Sequence, residues 1–508
     1  MKILKKILKN YSSFALFIIF IAALIIRWWY LPQKAIFFSF DQARDAFIVA
    51  EILSGDFKIL GPSVSGIPGL FHGVLYYYLI TPAYYFGQGN PVIVAYYLSF
   101  LNALVIFIVY YLTYLLTKRK EPAVVSALIY AFSFEASQYA NLLTNASLAE
   151  FFMPLTFVGL YLWIYKSWKW ASILTGLALG FTIQSELASA YIFIPVFLWL
   201  YVFRKNIYIK DVYFFVVSSL ISLSSLLISE FKFGFQSISG LTYLFTNQDG
   251  ITSLARLGDF ITQFFNIIGE TFSYTIFPLN NVFGGVLGIL LIVYLLPKEK
   301  FLISYILGFF IALPFGGWNM RHIMVGVTPA ISILIGIFLY KFSLKNRALA
   351  VLFLLIILLS NIYKIFTENK KGQTIFSLDS GMMLSNEIEI IDYTYQNANG
   401  QPFSISTLTK PLYINTTWSY LYNWYGLKKY GYLPHWVGRD QINLLGNNLP
   451  KAGNDILKHY FISENPYDIS NLYVTYAYGD QDAMSKVISQ KYFGDIKVEE
   501  RIRKNVKK

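Results

Sequence analysis

Residues 92–116 read VIVAYYLSFLNALVIFIVYYLTYLL, and Thr117 and the basic triplet Lys118-Arg119-Lys120 follow. The run holds no charge and exceeds the roughly 20 residues that a helix needs to cross a hydrocarbon core about 30 Å thick. A helix apolar on every side has no polar face to show to water, so this segment reads as a membrane span. The abrupt change to three cations marks its cytoplasmic end.

The same pattern recurs along the chain. Further spans are expected near residues 12–31, 121–140, 150–165, 170–185, 187–203, 211–229, 274–296, 301–317, 323–340 and 348–366, which gives about eleven in all. The composition agrees. The 508 residues are 56% hydrophobic and only 14% charged, an apolar excess that a soluble core cannot hide. Aromatic residues reach 19%, more than headgroup anchoring requires, which leaves some to line a lipid or sugar groove. The net charge of +13 does not indicate nucleic acid, because the cations sit at helix ends and form no single patch. With no cysteine, disulfides, thiolate metal sites and cysteine nucleophiles are excluded. The apolar run Phe14–Ile26 lacks a small-residue cleavage site and reads as a retained first helix.

Basic residues set the orientation. Lys2, Lys5, Lys6 and Lys9 precede the first span, Lys118–Lys120 follow the second, and further clusters fall at every second loop. The alternate short loops near 141–149, 184–187 and 318–322 hold Arg321 as their only Lys or Arg. The N-terminus is therefore expected in the cytoplasm and the C-terminus outside. From about Thr367 the composition turns to that of a soluble protein. Met383–Tyr395 and Trp418–Tyr425 read as helices, and Phe403–Thr407 and Leu472–Tyr476 as strands. The expected fold is an α-helical polytopic membrane domain, residues 1–366, with a first external loop at 32–91. A small extracytoplasmic α/β domain follows at 367–508.

The first external loop holds the chemistry. Phe40-Asp41-Gln42-Ala43-Arg44-Asp45-Ala46 sets two carboxylates and an arginine within one helical turn. A cation beside paired carboxylates can hold one of them ionised and ready to accept a proton. As an isolated pattern this is more often an inert surface ion pair. Its place at a membrane boundary, where unused charge is costly, favours function. Glu51, Ser54-Gly55-Asp56, Gly61-Pro62 and Phe71-His72-Gly73-Val74-Leu75-Tyr76-Tyr77-Tyr78 follow. Val74–Phe86 reads as a helix packed at the outer face rather than a span.

This order resembles the first periplasmic loop of the lipid A aminoarabinose transferases and is similar to the wider protein O-mannosyltransferase family. These are GT-C glycosyltransferases that use polyprenyl-phosphate sugars. The likeness covers residues 1–165 best and continues weakly through Arg321–Pro329. It implies a catalytic base at Asp41, where many members continue with Glu and this chain has Gln42. It implies a donor-phosphate contact at His72, where the family has lysine, with Gly73 in place of the following proline. Arg44 and Arg321 join His72 as candidates for the phosphate. A second acidic residue expected in the next external loop is matched by Asn145 or supplied by Glu150. Asp45, Gln184, Glu186, Tyr76 and Tyr77 are candidate acceptor or supporting residues.

The implied reaction needs a carboxylate to take a proton from an acceptor hydroxyl, on the face of the anomeric carbon opposite the departing lipid phosphate. Such a single displacement inverts the anomeric centre. The expected partners are a polyprenyl-phosphate-linked sugar, an acceptor protein, lipid or glycan, and the bilayer. No cofactor is expected and no histidine spacing suggests a metal. The competing reading is a transporter or flippase of lipid-linked sugars. It would need inverted repeats and polar residues at mid-span, which the sequence does not show. A non-enzymatic scaffold would leave the Asp41 cluster unexplained.

Overall fold

The computed structural model describes residues 11–64, 67–246, 254–308, 324–376, 381–439, 446–467 and 469–504. Arg321 and its loop lie outside the described residues. The chain divides into two compact units.

The first unit comprises Met1–Trp29, Phe57–Ile80 and Tyr96–Asn369. Helices long and apolar enough to cross a membrane are Tyr11–Trp28, Pro91–Thr117, Asn145–Lys166 and Arg347–Lys371. Two bent pairs also qualify, Ile209–Ser222 with Ser224–Lys232 at 61°, and Phe265–Ile276 with Asn281–Leu295 at 88°. Ala171–Ser185, Leu187–Val202 and Thr328–Ser343 are shorter apolar helices. The count of about eleven rests on the sequence alone.

Three expected spans are not single helices, and 211–229 is the first of these bent pairs. The stretch 121–140 divides into Lys120–Ala131 and Phe134–Ala140, because the Ser133 side chain accepts from the Ala136 N–H and starts a new helix. The stretch 274–296 turns sharply near Pro278. Proline supplies no N–H and disfavours helix at the residue before it, and Asn280 then caps Asn281–Leu295 by accepting from Phe283 N at 2.9 Å.

Small residues set the closest helix packing. Gly176 and Gly180, one turn apart on Ala171–Ser185, face Ile209–Ser222, and a Cβ at either would overlap Ser218 or Ser222. Ser222 Oγ donates to the Gly176 carbonyl at 3.2 Å across this contact. Without a hydrophobic drive between helices in lipid, such backbone-to-backbone approach supplies the packing.

The second unit comprises Tyr30–Asp56, Thr81–Ala95 and Lys370–Lys508. Its five-stranded sheet has the order β2-β1-β3-β5-β4. The strands are β1 Ser404–Leu408, β2 His435–Trp436, β3 Lys458–Ser463, β4 Ser485–Phe493 and β5 Ile496–Arg503. β1 lies parallel to β2 and β3, and β5 lies antiparallel to β3 and β4. The helix Leu384–Ala398 forms as expected and buries Leu384, Ile388, Ile391, Tyr395 and Ala398 along one stripe.

The strand expected at Leu472–Tyr476 is instead the start of the helix Asn471–Met484. Its alternating apolar residues stay largely exposed. Ala477 and Gln481, one turn apart, are the residues it buries. The sequence reading does not include the hairpin of β4 and β5. Its mark in the sequence is the two-residue turn Gly494-Asp495, with Gly494 at φ +58°.

Candidate active site

Within the second unit, the Asp41 helix is built onto the sheet-bearing segment. Phe38 N donates to Met382 O at 3.0 Å, Leu384 N to Ile36 O at 3.0 Å, and Phe37 N to Gln373 Oε1 at 2.8 Å. The helix Phe40–Leu53 then begins at Ser39, whose N–H donates to Gln42 Oε1 at 3.0 Å. Gln42, a departure from the family pattern, therefore acts locally. It closes a capping box as glutamate would, without adding charge. Phe38 and Phe47 pack on the Tyr420 ring, with centroids 5.7 and 5.4 Å away.

Arg44 bridges both carboxylates. Its Nη1 donates to Asp41 Oδ1 at 2.7 Å, its Nη2 to Asp45 Oδ1 at 2.7 Å, and its Nε to the same Asp45 oxygen at 3.0 Å. The two acids differ in environment. The Asp45 side chain is 3% exposed and Asp41 54%. Asp45 thus fixes the guanidinium from below, and the guanidinium holds Asp41 in place facing outward. The helix N-terminus adds a favourable field for the Asp41 carboxylate.

The first unit gathers His72, Gln184, Glu186 and Asn145. The Leu187 N–H points to His72 Nδ1 at 3.4 Å. Nδ1 as acceptor places the ring proton on Nε2. Gly73 N donates to the Gln184 carbonyl at 3.0 Å, and a Cβ at Gly73 would overlap the Gln184 side chain. Proline, which the resemblance puts at this position, has neither this N–H nor this room, so Gly73 suits the contact with Gln184. Gln184 Oε1 also accepts from Leu75 N and Ser225 Oγ, each at 3.2 Å, and its Nε2 donates to the Ser222 carbonyl.

Asn145 Nδ2 donates to the Ser185 carbonyl at 2.6 Å and ties its own turn to the same junction. Glu186 is buried and caps the following turn, accepting from Ala188 N at 3.2 Å. Burial pushes its carboxyl up to about 7. Tyr76 and Tyr77 are buried beside each other, with ring centroids 6.4 Å apart.

Glu150 is fully buried and accepts from Gly326 N at 2.7 Å. Sequence reading missed two buried charges in this unit. Arg27 lies wholly inside, donating to Asn102 Oδ1 at 2.8 Å and to the Ala131 carbonyl at 3.0 Å. Glu135 accepts from Tyr139 OH at 3.2 Å and Thr275 Oγ1 at 3.4 Å. The available mark was a lone charge inside each apolar run.

A family profile described as dolichyl-phosphate-mannose-protein mannosyltransferase matches residues 64–230. The match takes in His72, Asn145, Glu150, Gln184 and Glu186. It begins beyond the Asp41 stretch, whereas the sequence likeness was strongest over residues 1–165. No curated protein matches the chain significantly. The fold is similar to that of ArnT from Cupriavidus metallidurans in the apo state, with a TM-score of 0.55 at 10% identity, covering 96% of this chain and 98% of that one. It is likewise similar to ArnT from the same organism bound to undecaprenyl phosphate, with a TM-score of 0.54 at 12% identity, covering 95% and 97%. The chain has the GT-C fold of ArnT along nearly its whole length and resembles the protein mannosyltransferases in sequence over residues 64–230.

Proposed function

We propose that this chain is a membrane glycosyltransferase that moves a hexose or pentose from a polyprenyl-phosphate carrier to an acceptor hydroxyl at the outer face of the membrane. The observation that carries the reading is the Asp41–Arg44–Asp45 cluster: an outward-facing carboxylate held by a guanidinium that a buried carboxylate fixes. The fold and the family segment supply the reaction class. No observation among the described residues favours a transporter. The experiment that tests the reading is release of free lipid phosphate from lipid-linked sugars by the purified protein, and its dependence on Asp41.

In this reading Asp41 accepts the acceptor's proton as its oxygen attacks the anomeric carbon, and the lipid phosphate leaves from the opposite face with inversion. The leaving phosphate gains charge in the transition state, so donors aimed at it accelerate the step. The Arg44 fork is occupied by the two aspartates, which makes Arg44 a positioning residue for Asp41. The phosphate role passes to His72, through its Nε2–H, and to Arg321. A planar guanidinium suits phosphate oxygens better than an ammonium. Arg321→Ala is therefore expected to weaken donor binding by about tenfold and to slow transfer, with Arg321→Lys recovering part of each. Donor titrations of the three proteins check this. Indistinguishable affinities and rates would make Arg321 a headgroup anchor.

The external placement of the cluster follows from the alternation of basic loops. A reporter fused at Lys508 is expected to be active only outside the cytoplasm, and one fused after Lys120 only inside. Cytoplasmic activity of the Lys508 fusion would contradict the eleven-span orientation.

A further inference from the structure

The second unit holds a cavity of about 310 Å³ between the edge of the sheet at β1 and β2 and the helix Asn471–Met484. Its volume falls at the lower end of the roughly 300–1,000 Å³ of small-ligand sites. Ser406, Tyr413, Trp436, Arg439, Asp480 and Gln481 contribute its polar and aromatic lining. None of them belongs to the Asp41 cluster or to the His72–Gln184 junction.

The lining has a definite chemistry. Trp436 is 8% exposed, and among the described residues neither its indole N–H nor the Tyr413 hydroxyl, both closed off from solvent, has a hydrogen-bond partner. Leaving a buried donor unmade costs about 1–3 kcal/mol, and folded proteins seldom keep one without a use. Gly438 packs against the indole, where a Cβ would come within 2.5 Å of Cζ2, so only a residue without a side chain fits beside this ring.

On the other side, Ser406 Oγ bonds to His459 Nε2 and to Gln481 Oε1, each at 2.9 Å, and His459 Nδ1 bonds to Ser404 Oγ at 2.9 Å. Burial holds the His459 imidazole down at about 4, so it stays neutral and fixes the two serines. At the rim Arg439 stacks on the Tyr413 ring at 4.5 Å and pairs with Asp480 at 3.1 Å. The two charges thus neutralise each other and still present an array of donors and acceptors.

Aromatic rings beside unpaired donors, a serine–glutamine floor and a neutral ion pair suit a ligand that is itself half apolar face and half hydroxyl rim. A phosphate would meet Asp480, and an alkyl chain would leave the donors unmade. We propose that this cavity binds one uncharged pyranose of a glycan, which serves as the acceptor. The acceptor role rests on the transferase reading; the binding does not.

The test uses the full-length protein in detergent, without donor, and methyl glycosides of glucose, galactose, mannose, N-acetylglucosamine and xylose as probes. Saturation-transfer NMR is expected to give saturable binding of at least one. Tyr413→Phe, which removes one hydroxyl, and Arg439→Ala, which removes an exposed wall, are each expected to weaken it by about tenfold. Both variants change little that holds the fold, and their melting temperatures check that. Absence of binding by every glycoside, or equal binding by wild type and variants, overturns the site. Release of lipid phosphate without glycoside binding removes this inference and leaves the transferase standing. Glycoside binding without lipid-phosphate release from any donor does the reverse.

Discussion

Asp41→Asn is expected to lower turnover by about 10²-fold or more, with the melting temperature nearly unchanged. Asparagine keeps the size and one acceptor oxygen for Arg44 but cannot take up a proton at neutral pH. The pair it weakens is half exposed on the Asp41 side, and such pairs contribute only about 0.2–1 kcal/mol. Asp45, buried beneath the same guanidinium, still holds Arg44 in place. Chemistry and stability should therefore separate in this variant. Turnover within a few-fold of wild type would remove Asp41 from the reaction, and a large fall in melting temperature would make the cluster a structural element. Measuring both on one preparation distinguishes these results.

Tyr420→Ala should have the opposite profile, a large loss of stability that takes activity with it. Tyr420 is 7% exposed and its ring meets Phe38 and Phe47, the residues that seat the Asp41 helix. Its hydroxyl donates to the Gly89 carbonyl. Truncating a buried aromatic costs about 3–5 kcal/mol, partly through the cavity left behind, which corresponds to a melting shift on the order of 10 °C. Tyr420→Phe keeps the ring and gives up one hydrogen bond, a loss of about 1 kcal/mol. Calorimetry of the three proteins with parallel turnover assays is expected to rank Tyr420→Ala well below Tyr420→Phe in both. Equal behaviour of the two variants would mean that the ring contacts do not hold the helix.

The long apolar spans were legible because hydropathy is a property of consecutive residues, as in 92–116. Interruptions were harder to see. Ser133 and Pro278 are single residues that redirect a helix, and window-averaged apolarity passes over them. In the second unit, the pattern Leu472–Tyr476 favours a strand locally. Packing against the sheet instead selects a helix through Ala477 and Gln481, which lie outside that window.

The site divides in the same way. Asp41, Arg44 and Asp45 are neighbours in sequence, so their cluster could be read directly. The approach of Leu187 to His72 joins residues 115 apart, and no local pattern announces it. Gln42 and Gly73 looked like departures from a family pattern. In the structure one closes a capping box and the other makes room for Gln184. Arg27 ends an apolar run, and besides the carbonyl of Ala23 one turn back it binds Asn102 and Ala131, both distant along the chain.

Purified protein is incubated with a panel of undecaprenyl- and dolichyl-phosphate-linked hexoses and pentoses, together with envelope glycans, and free lipid phosphate is quantified. Time-dependent release from at least one donor is expected, with the sugar recovered on an acceptor in inverted configuration and the signal lost in Asp41→Asn. Release from no member of the panel, or release that Asp41→Asn leaves unchanged, would contradict the transferase reading.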